Sequence, residues 1–510
     1  MSKPAPTPEL DRVPLHEKAA LGVGSLSMFF GFAGISILAY PVYNMLLGVD
    51  AGWVALALVL PRLWDAVTDP VMGKLSDNFR SRWGRRRPFI VAGAAAMGVT
   101  FALLWQAPAS WSGSAQLAYF VAMQLVFFTC FTVFAVPFNA LTYEMTPDYR
   151  ERTRVMAWLA FFHKCGEFLG GWMLPLAAGL SVALVASADD LHISGVQAMA
   201  WILGLVVLGG LGMLPGLLVR ERQAVAVARQ PSVKLWAGVK AACSNSPFLI
   251  LIAVIVLNTL SGVLASGLDQ YLLVYYMNDG NKTDGLLQKG MLSSGYAVVG
   301  FASIPVITLI ANRLGKKAAL YFVYGLMVIG GVAKWYIFRP GHAIYDLGGV
   351  KLDPILMIDP LLCGPMWVAV KILLASMMAD ICDEDERRHG QRREGLFGAV
   401  FSWLEKLVVS AAYVSTGLAL TIAAFDVELG ARQTPETFTK MRLFLAGGPA
   451  ITAVFAMIAL YFYPIDAARA AETRDILEKR RGAVHARPGE PKRDRLDAGG
   501  SGASTPGKPL

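Results

Sequence analysis

This chain has little charge. Of its 510 residues only 16% are Asp, Glu, Lys or Arg, against 55% that are hydrophobic, whereas a soluble domain is nearer a quarter charged. An ordinary water-facing surface is therefore excluded over most of its length. Cysteine is also scarce: five residues, at 130, 165, 243, 363 and 382, an odd number with no CxxC pair, which read as small apolar residues within helices. Metal-ligand spacing, a nucleophile elbow and a phosphate-binding glycine loop are all missing, which argues against an enzyme and calls for no cofactor. The first 18 residues are polar and contain proline, and the apolar run after them is too long for a signal h-region, so no cleaved leader is expected.

What the chain has instead is long apolar runs and a mean hydropathy of +0.49. Candidate spans lie near 19–46, 52–77, 87–107, 116–143, 152–182 and 197–220, and again near 247–277, 289–311, 318–337, 353–379, 395–424 and 441–465. Most can cross a hydrocarbon core of about 30 Å, which takes about 20 helical residues. The expectation is an all-α integral membrane protein of twelve transmembrane helices in two six-helix bundles. Its parts are a cytoplasmic N-terminus at 1–18, a first bundle at 19–220, a cytoplasmic linker at 221–246, a second bundle at 247–465 and a disordered cytoplasmic tail at 466–510.

Basic residues set the orientation. NFRSRWGRRRP follows the second span, and RTR, RER, NRLGKK and ERRHGQRRE stand in later loops on the same side, while the loops between spans one and two, three and four, and five and six carry no Lys or Arg. Cytoplasmic loops hold the excess of Lys and Arg, so both termini are placed inside. The net charge of +9 is mostly this topology signal, and nothing else supports nucleic-acid binding. The loop GKLSDN…GRRR of the first half has a weak echo in ANRLGKK of the second, with Asn312 where an acid would match. Related halves around a central site are how many secondary transporters are built.

Charges inside the spans are few and expensive, so each should face the protein interior and have a partner. In LVLPRLWDAVTDPVMGKL, Asp65 and Asp69 lie ~20–26 Å into their helix at 1.5 Å per residue, and the i, i+4 spacing puts both on one face. Two such carboxylates repel, so a bound cation, a shared proton or a lysine must neutralise them. Carboxylate oxygens suit a hard cation such as Na+, and protons can use the same groups. Lys406, near mid-membrane in GLFGAVFSWLEKLVVSAAYVSTG, is the natural lysine. A structural pair of the acids with Arg62 is the plainer alternative. In the fifth span FFHKCGEF puts His163 and Glu167 on one face with Lys164 beside them, either as an internal hydrogen-bonded pair or as part of a substrate or proton path. Asp269, Lys334 and Lys371 are single charges nearer span ends, for which snorkelling or interhelical pairing is expected.

Three stretches together carry a resemblance. WDAVTDPVMGKL followed by RSRWGRRRP, then VPFNALTYEMTPDYRERTRV at 136–155, then DICDEDERRHGQRREGLF at 380–397 resemble, in order and spacing, the glycoside–pentoside–hexuronide:cation symporters. These are the melibiose-permease branch of the major facilitator superfamily, and the likeness runs over roughly residues 20–465. It implies that Asp65 and Asp69 are the cation-binding acids, that Thr132 is the fourth-helix hydroxyl joining them, and that Lys406 is the eleventh-helix lysine. Thr68 stands where the sugar permease has an asparagine, and Arg62 where a family arginine is found.

The substrate side departs from that pattern. Melibiose-type members have acids in the first and fourth helices and an arginine in the fifth, where this chain has Phe29, Ala135 and Leu159. Losing those hydrogen-bonding groups costs sugar selectivity. Phe29, Ala135, Leu159, His163, Lys164, Glu167 and Trp403 are thus the cavity candidates. The expected function is Na+- or H+-coupled symport of a sugar, glycoside or related small solute by alternating access. The alternatives are sodium-dependent transport of a lysolipid or other amphiphile, which the same branch includes, and a non-transporting receptor or scaffold. A monomer in the plasma (inner) membrane is expected, its partners being solute, monovalent cation and lipid. A cytoplasmic latch of Arg82, Arg85 and Arg86 against Asp380, Asp383 and Glu386 is expected to hold the outward-open state.

Overall fold

A computed structural model describes residues 12–146, 149–185, 190–221, 244–342, 345–346, 351–389 and 394–485. The chain is helical almost throughout. Its first half comprises α1 (Leu15–Leu46), α2 (Ala51–Asn78), α3 (Arg87–Leu104), α4 (Gly113–Tyr143), α5 (Tyr149–Gly170), α6 (Met173–Leu184) and α7 (Ile193–Leu218). The second half comprises α8 (Ser246–Met277), α9 (Lys282–Leu314), α10 (Lys316–Ile337), α11 (Pro354–Arg388), α12 (Glu394–Ile422) and α13 (Pro435–Tyr461). Among the described residues ten helices are long and apolar enough to span a membrane, and the Arg154–Gly170 part of α5 taken with α6, bent by 48° between them, is an eleventh candidate. With the shorter apolar helix Leu407–Ile422 within α12, that accounts for the twelve expected spans.

Helix starts are written locally. Asp50 accepts from the backbone N–H of Gly52 and Trp53 at the head of α2. Ser112, Asn245, Asn281 and Thr434 do the same for α4, α8, α9 and α13, each satisfying an orphan donor of a first turn. The lead-in to α3 is capped from a distance. The Glu221 carboxylate, just past α7, accepts from the backbone N–H of Arg85, Arg86 and Arg87. Gly84, at φ +106°, brings the chain round beside it, and a side chain there would meet the Glu221 carboxylate. Small residues let helices meet closely, as in membrane bundles generally: a methyl on Gly98 of α3 would strike the Gly204 carbonyl of α7.

The loop echo has a structural counterpart. In the first half Arg86 pairs with Glu144 at the end of α4, at 2.6 Å, and in the second Lys316 pairs with Asp380 near the end of α11, at 2.5 Å. Each pair staples a loop to its own bundle.

One expectation is corrected. Residues 466–510 read as a disordered tail, yet Ala467–His485 forms a further helix, α14. Alanine, glutamate, leucine, lysine and arginine are strong helix formers, and the helix gains a tertiary anchor. Thr473 donates to Glu384 at 2.9 Å and Arg469 pairs with it at 3.0 Å, while Leu477 is buried. Residues 486–510 lie outside the described residues.

The two bundles meet most firmly at the end opposite the termini. There the Tyr271 hydroxyl donates to Asn44 at 2.5 Å, the Tyr40 hydroxyl to the Tyr413 carbonyl at 3.1 Å, and the Trp172 indole to Ser294 at 2.8 Å. Asp190, before α7, accepts from the backbone N–H groups of Lys282 and Thr283 and from the Thr283 hydroxyl, so the first bundle caps a helix of the second. At the terminal end, hydrogen bonds and ion pairs among the described residues stay within a bundle. Arg85 and Arg86 pair with Glu144 and Asp77, and Glu384 takes Arg387, Arg388 and Arg469. Among the described residues, then, the hydrogen bonds that join the bundles gather at the far end.

Candidate functional site

The first site lies where α2 meets α4, with α12 also packed on α2. Asp65 is 3% exposed and Thr132 2%, while Asp69 and Thr68 are half-buried. The Thr132 hydroxyl donates to Asp69 at 3.1 Å and sits 3.5 Å from the Thr68 hydroxyl. Thr68 turns back to the Trp64 carbonyl, and the Trp64 indole donates to Thr129 at 2.9 Å, which ties α2 to α4 one turn away. Four of the predicted cation-site residues thus gather in one place: two carboxylates and two hydroxyls, all oxygen donors, which is the set that hard cations prefer. Pro70 within α2 has no N–H, so the Ala66 carbonyl, between the two acids, has no helical partner there. The coupling candidates Lys406 and Arg62 stand on α12 and α2, but their side chains, like that of Trp403, lie outside the described ones.

A second cluster lies at mid-depth where α5 faces α11. Glu167 accepts from Lys164 through Oε2 and from Lys371 of the second bundle through Oε1, the latter at 3.0 Å, with His163 Nε2 at 3.8 Å. The Lys371 side chain is 57% exposed and that of His163 38%, which puts them at an accessible crevice where the bundles meet. Phe29 stands edge-on to His163, ring centroids 5.4 Å apart, packed over Gly166 and Gly170. Of the predicted cavity residues, Phe29, His163, Lys164 and Glu167 therefore come together. Ala135 and Leu159 belong to the apolar packing of the first bundle.

Lys371 was read as a lone charge near a span end, and its cross-bundle role needed the tertiary structure to appear. The other two lone charges pair inside the second bundle. Lys334 meets Asp359 at 2.5 Å, with the Tyr296 hydroxyl donating to Asp359, and Lys289 meets Asp269 at 2.6 Å. Of the latch candidates, Arg85, Arg86 and Asp380 pair within their own bundles. Arg82 is exposed there, and Asp383 and Glu386 stand on the last turns of α11.

The model of a family described as MFS/sugar transport protein matches residues 20–467. Among curated relatives, the glucuronide carrier protein homolog of Escherichia coli is 24% identical over 87% of this chain and 91% of its own length. The sodium-dependent lysophosphatidylcholine symporter 1 of Gallus gallus is 23% identical over 84% of this chain and 83% of its own. Among solved structures, a bacterial homolog to the human lysosomal transporter Spinster, inward-facing and unoccupied, aligns with TM-score 0.59 at 14% identity. It is covered over 98% of its length and covers 91% of this chain. The nucleoside transporter NupG aligns with TM-score 0.57 at 12% identity, over 88% of this chain and all of its own.

Proposed function

We propose, from the premise that this chain belongs to the MFS/sugar transport protein family, that Asp65 and Asp69 carry the coupling cation of a secondary symporter. The protein is a multi-pass membrane symporter of the major facilitator fold and not an enzyme. The finer reading is that Na+ or H+ binds at Asp65 and Asp69, helped by Thr132 and Thr68. The observation that carries it is the hydrogen bond from Thr132 to Asp69 beside a buried Asp65. An intramembrane acid costs about 2.5–3.5 kcal/mol on insertion scales, and a pair needs positive charge to offset its mutual repulsion.

Transport follows from that need. Without the cation, Lys406 of α12 serves as counter-charge to the pair and holds α12 against α2. The cation takes over that task and releases Lys406, and Arg62 adjusts with it. The α2–α12 contact repacks and the bundles, 19–220 and 247–465, rock about the midplane to expose the crevice to either face. Both termini and the 221–246 linker then lie in the cytoplasm, and the protein works as a monomer in the plasma (inner) membrane. The latch of Arg82, Arg85 and Arg86 with Asp380, Asp383 and Glu386 belongs to the opposite, outward-open state.

The solute is a sugar, glycoside or related small molecule bound in the crevice near His163, Lys164, Glu167 and Trp403. An amphiphile such as a lysolipid is the second reading. It is favoured by the aromatic Phe29 at the crevice and by apolar Ala135 and Leu159 where a sugar site would want hydrogen-bonding groups. Uptake into proteoliposomes under an imposed Na+ or H+ gradient tests the symport reading. Wild type should concentrate solute and D65N should not. Gradient-independent uptake, or a D65N protein that still concentrates solute, refutes it. Thermal stabilisation by sugars, glycosides and lysolipids, with and without Na+, sorts the substrates.

A further inference from the structure

The Glu167 cluster holds more positive charge than a structural bridge needs. One carboxylate serves two ammonium groups from opposite bundles, Lys164 on Oε2 and Lys371 on Oε1. An ammonium has three N–H donors, and among the described residues the partner of Lys371 is Glu167, so its ammonium has capacity for a further acceptor. The Lys371 side chain is 57% exposed and that of Glu167 27%, which lets a ligand reach the pair without unpacking a helix. Glu405 of α12 is exposed and lies near enough to Lys371 to feel its charge, a second acid beside the pair.

We propose that the Lys371 ammonium donates to an anionic oxygen group on the transported solute, and that Glu167 is a built-in counter-ion which this group displaces onto Lys164 alone. The inference rests on the reading of the crevice as the solute site. A carboxylate or a phosphate oxygen can replace the Glu167 oxygen on Lys371 with little net change in charge pairing, because one anion exchanges for another. The exchange also cuts the mid-depth ion pair that joins α5 to α11, so occupancy of the site is felt by the contact between bundles. A neutral solute makes no such exchange and leaves the bridge closed. Glu167 in this scheme excludes weak ligands, since an incoming anion must compete with a tethered carboxylate for Lys371.

The test uses the purified full chain and two matched probe pairs that differ in the charged group alone. Methyl glucuronide against methyl glucoside asks about a carboxylate, and lysophosphatidic acid against monoacylglycerol about a phosphate. Binding is read by thermal stabilisation of wild type, K371Q, K371R and E167Q. The proposal expects the charged member of one pair to bind better than its neutral partner. K371Q should lose roughly tenfold in affinity for it, the worth of one charge-assisted hydrogen bond, and K371R should keep most of it. E167Q, freed of the competing carboxylate, should bind it more tightly than wild type. If K371Q fails to fold, the tightening in E167Q carries the test. Equal binding of charged and neutral members, a charge preference that K371Q leaves intact, weaker binding in E167Q, or no binding of any of the four overturns it. Those results leave gradient-driven uptake untouched. Conversely, Lys371-dependent anion binding with gradient-independent uptake would sink symport and leave this inference standing.

Discussion

At the scale of single residues, Thr132 is the sharpest probe of the cation site. Its hydroxyl donates to Asp69 and lies beside Thr68, so T132A should weaken the apparent cation affinity in uptake assays roughly tenfold, and T132S should restore it. An unchanged affinity would remove the hydroxyl from the site. The acids were legible in the sequence because two carboxylates in an apolar helix are costly and a four-residue spacing puts them on one face. Thr132 carries no such mark, since a threonine in a membrane helix commonly bonds its own backbone, and only the likeness of its surroundings to a known motif singled it out. Lys371 was visible as a charge, but pairing with Glu167 depends on two bundles meeting, which no local pattern records.

Among the elements, α3 depends on a residue far along the chain. Glu221 takes three backbone N–H groups at the entry to α3, and Gly84 turns beside it at φ +106°. G84A both strains the backbone and collides with that carboxylate, so thermal unfolding should show a loss of about 1–3 kcal/mol; a neutral effect would mean that the capped turn is dispensable. Glu151 anchors another element, accepting from the Val13 N–H and pairing with Lys18 and Arg154. Burial pushes its carboxyl up, but the bonds from Lys18, Val13 and Arg154 outweigh this and hold it below the usual range. A depressed carboxyl stabilises above its unfolded pKa, about 4.3, and that stability is lost as pH falls through the lower folded value. E151Q should therefore be less stable than wild type at neutral pH, with the gap narrowing as the protein is acidified. A gap independent of pH would place the effect in packing. The twelve spans were legible from length and hydropathy. The helix α14 was not, because its composition is that of a solvated tail and its anchor, Glu384, lies on a distant span.

The whole molecule is caught with its far end shut, and Asp190 is the residue whose removal should loosen it, since it caps α9 from the other bundle. D190A should raise thiol labelling of a cysteine placed at the far end of the crevice, and unchanged labelling would move the gate elsewhere. The latch predicts the complementary shift: R85E should favour the inward-open form and raise labelling from the terminal end. Both follow from one account in which cation, solute and two closures share a central crevice, and that account stands on Asp65 and Asp69. Its most direct test is equilibrium cation binding by the purified protein, with Na+ titrated calorimetrically while proton uptake and release are followed. The account predicts one saturable cation site, for Na+ or for a proton, that is lost in both D65N and D69N. Cation binding that survives intact in the two variants would contradict it.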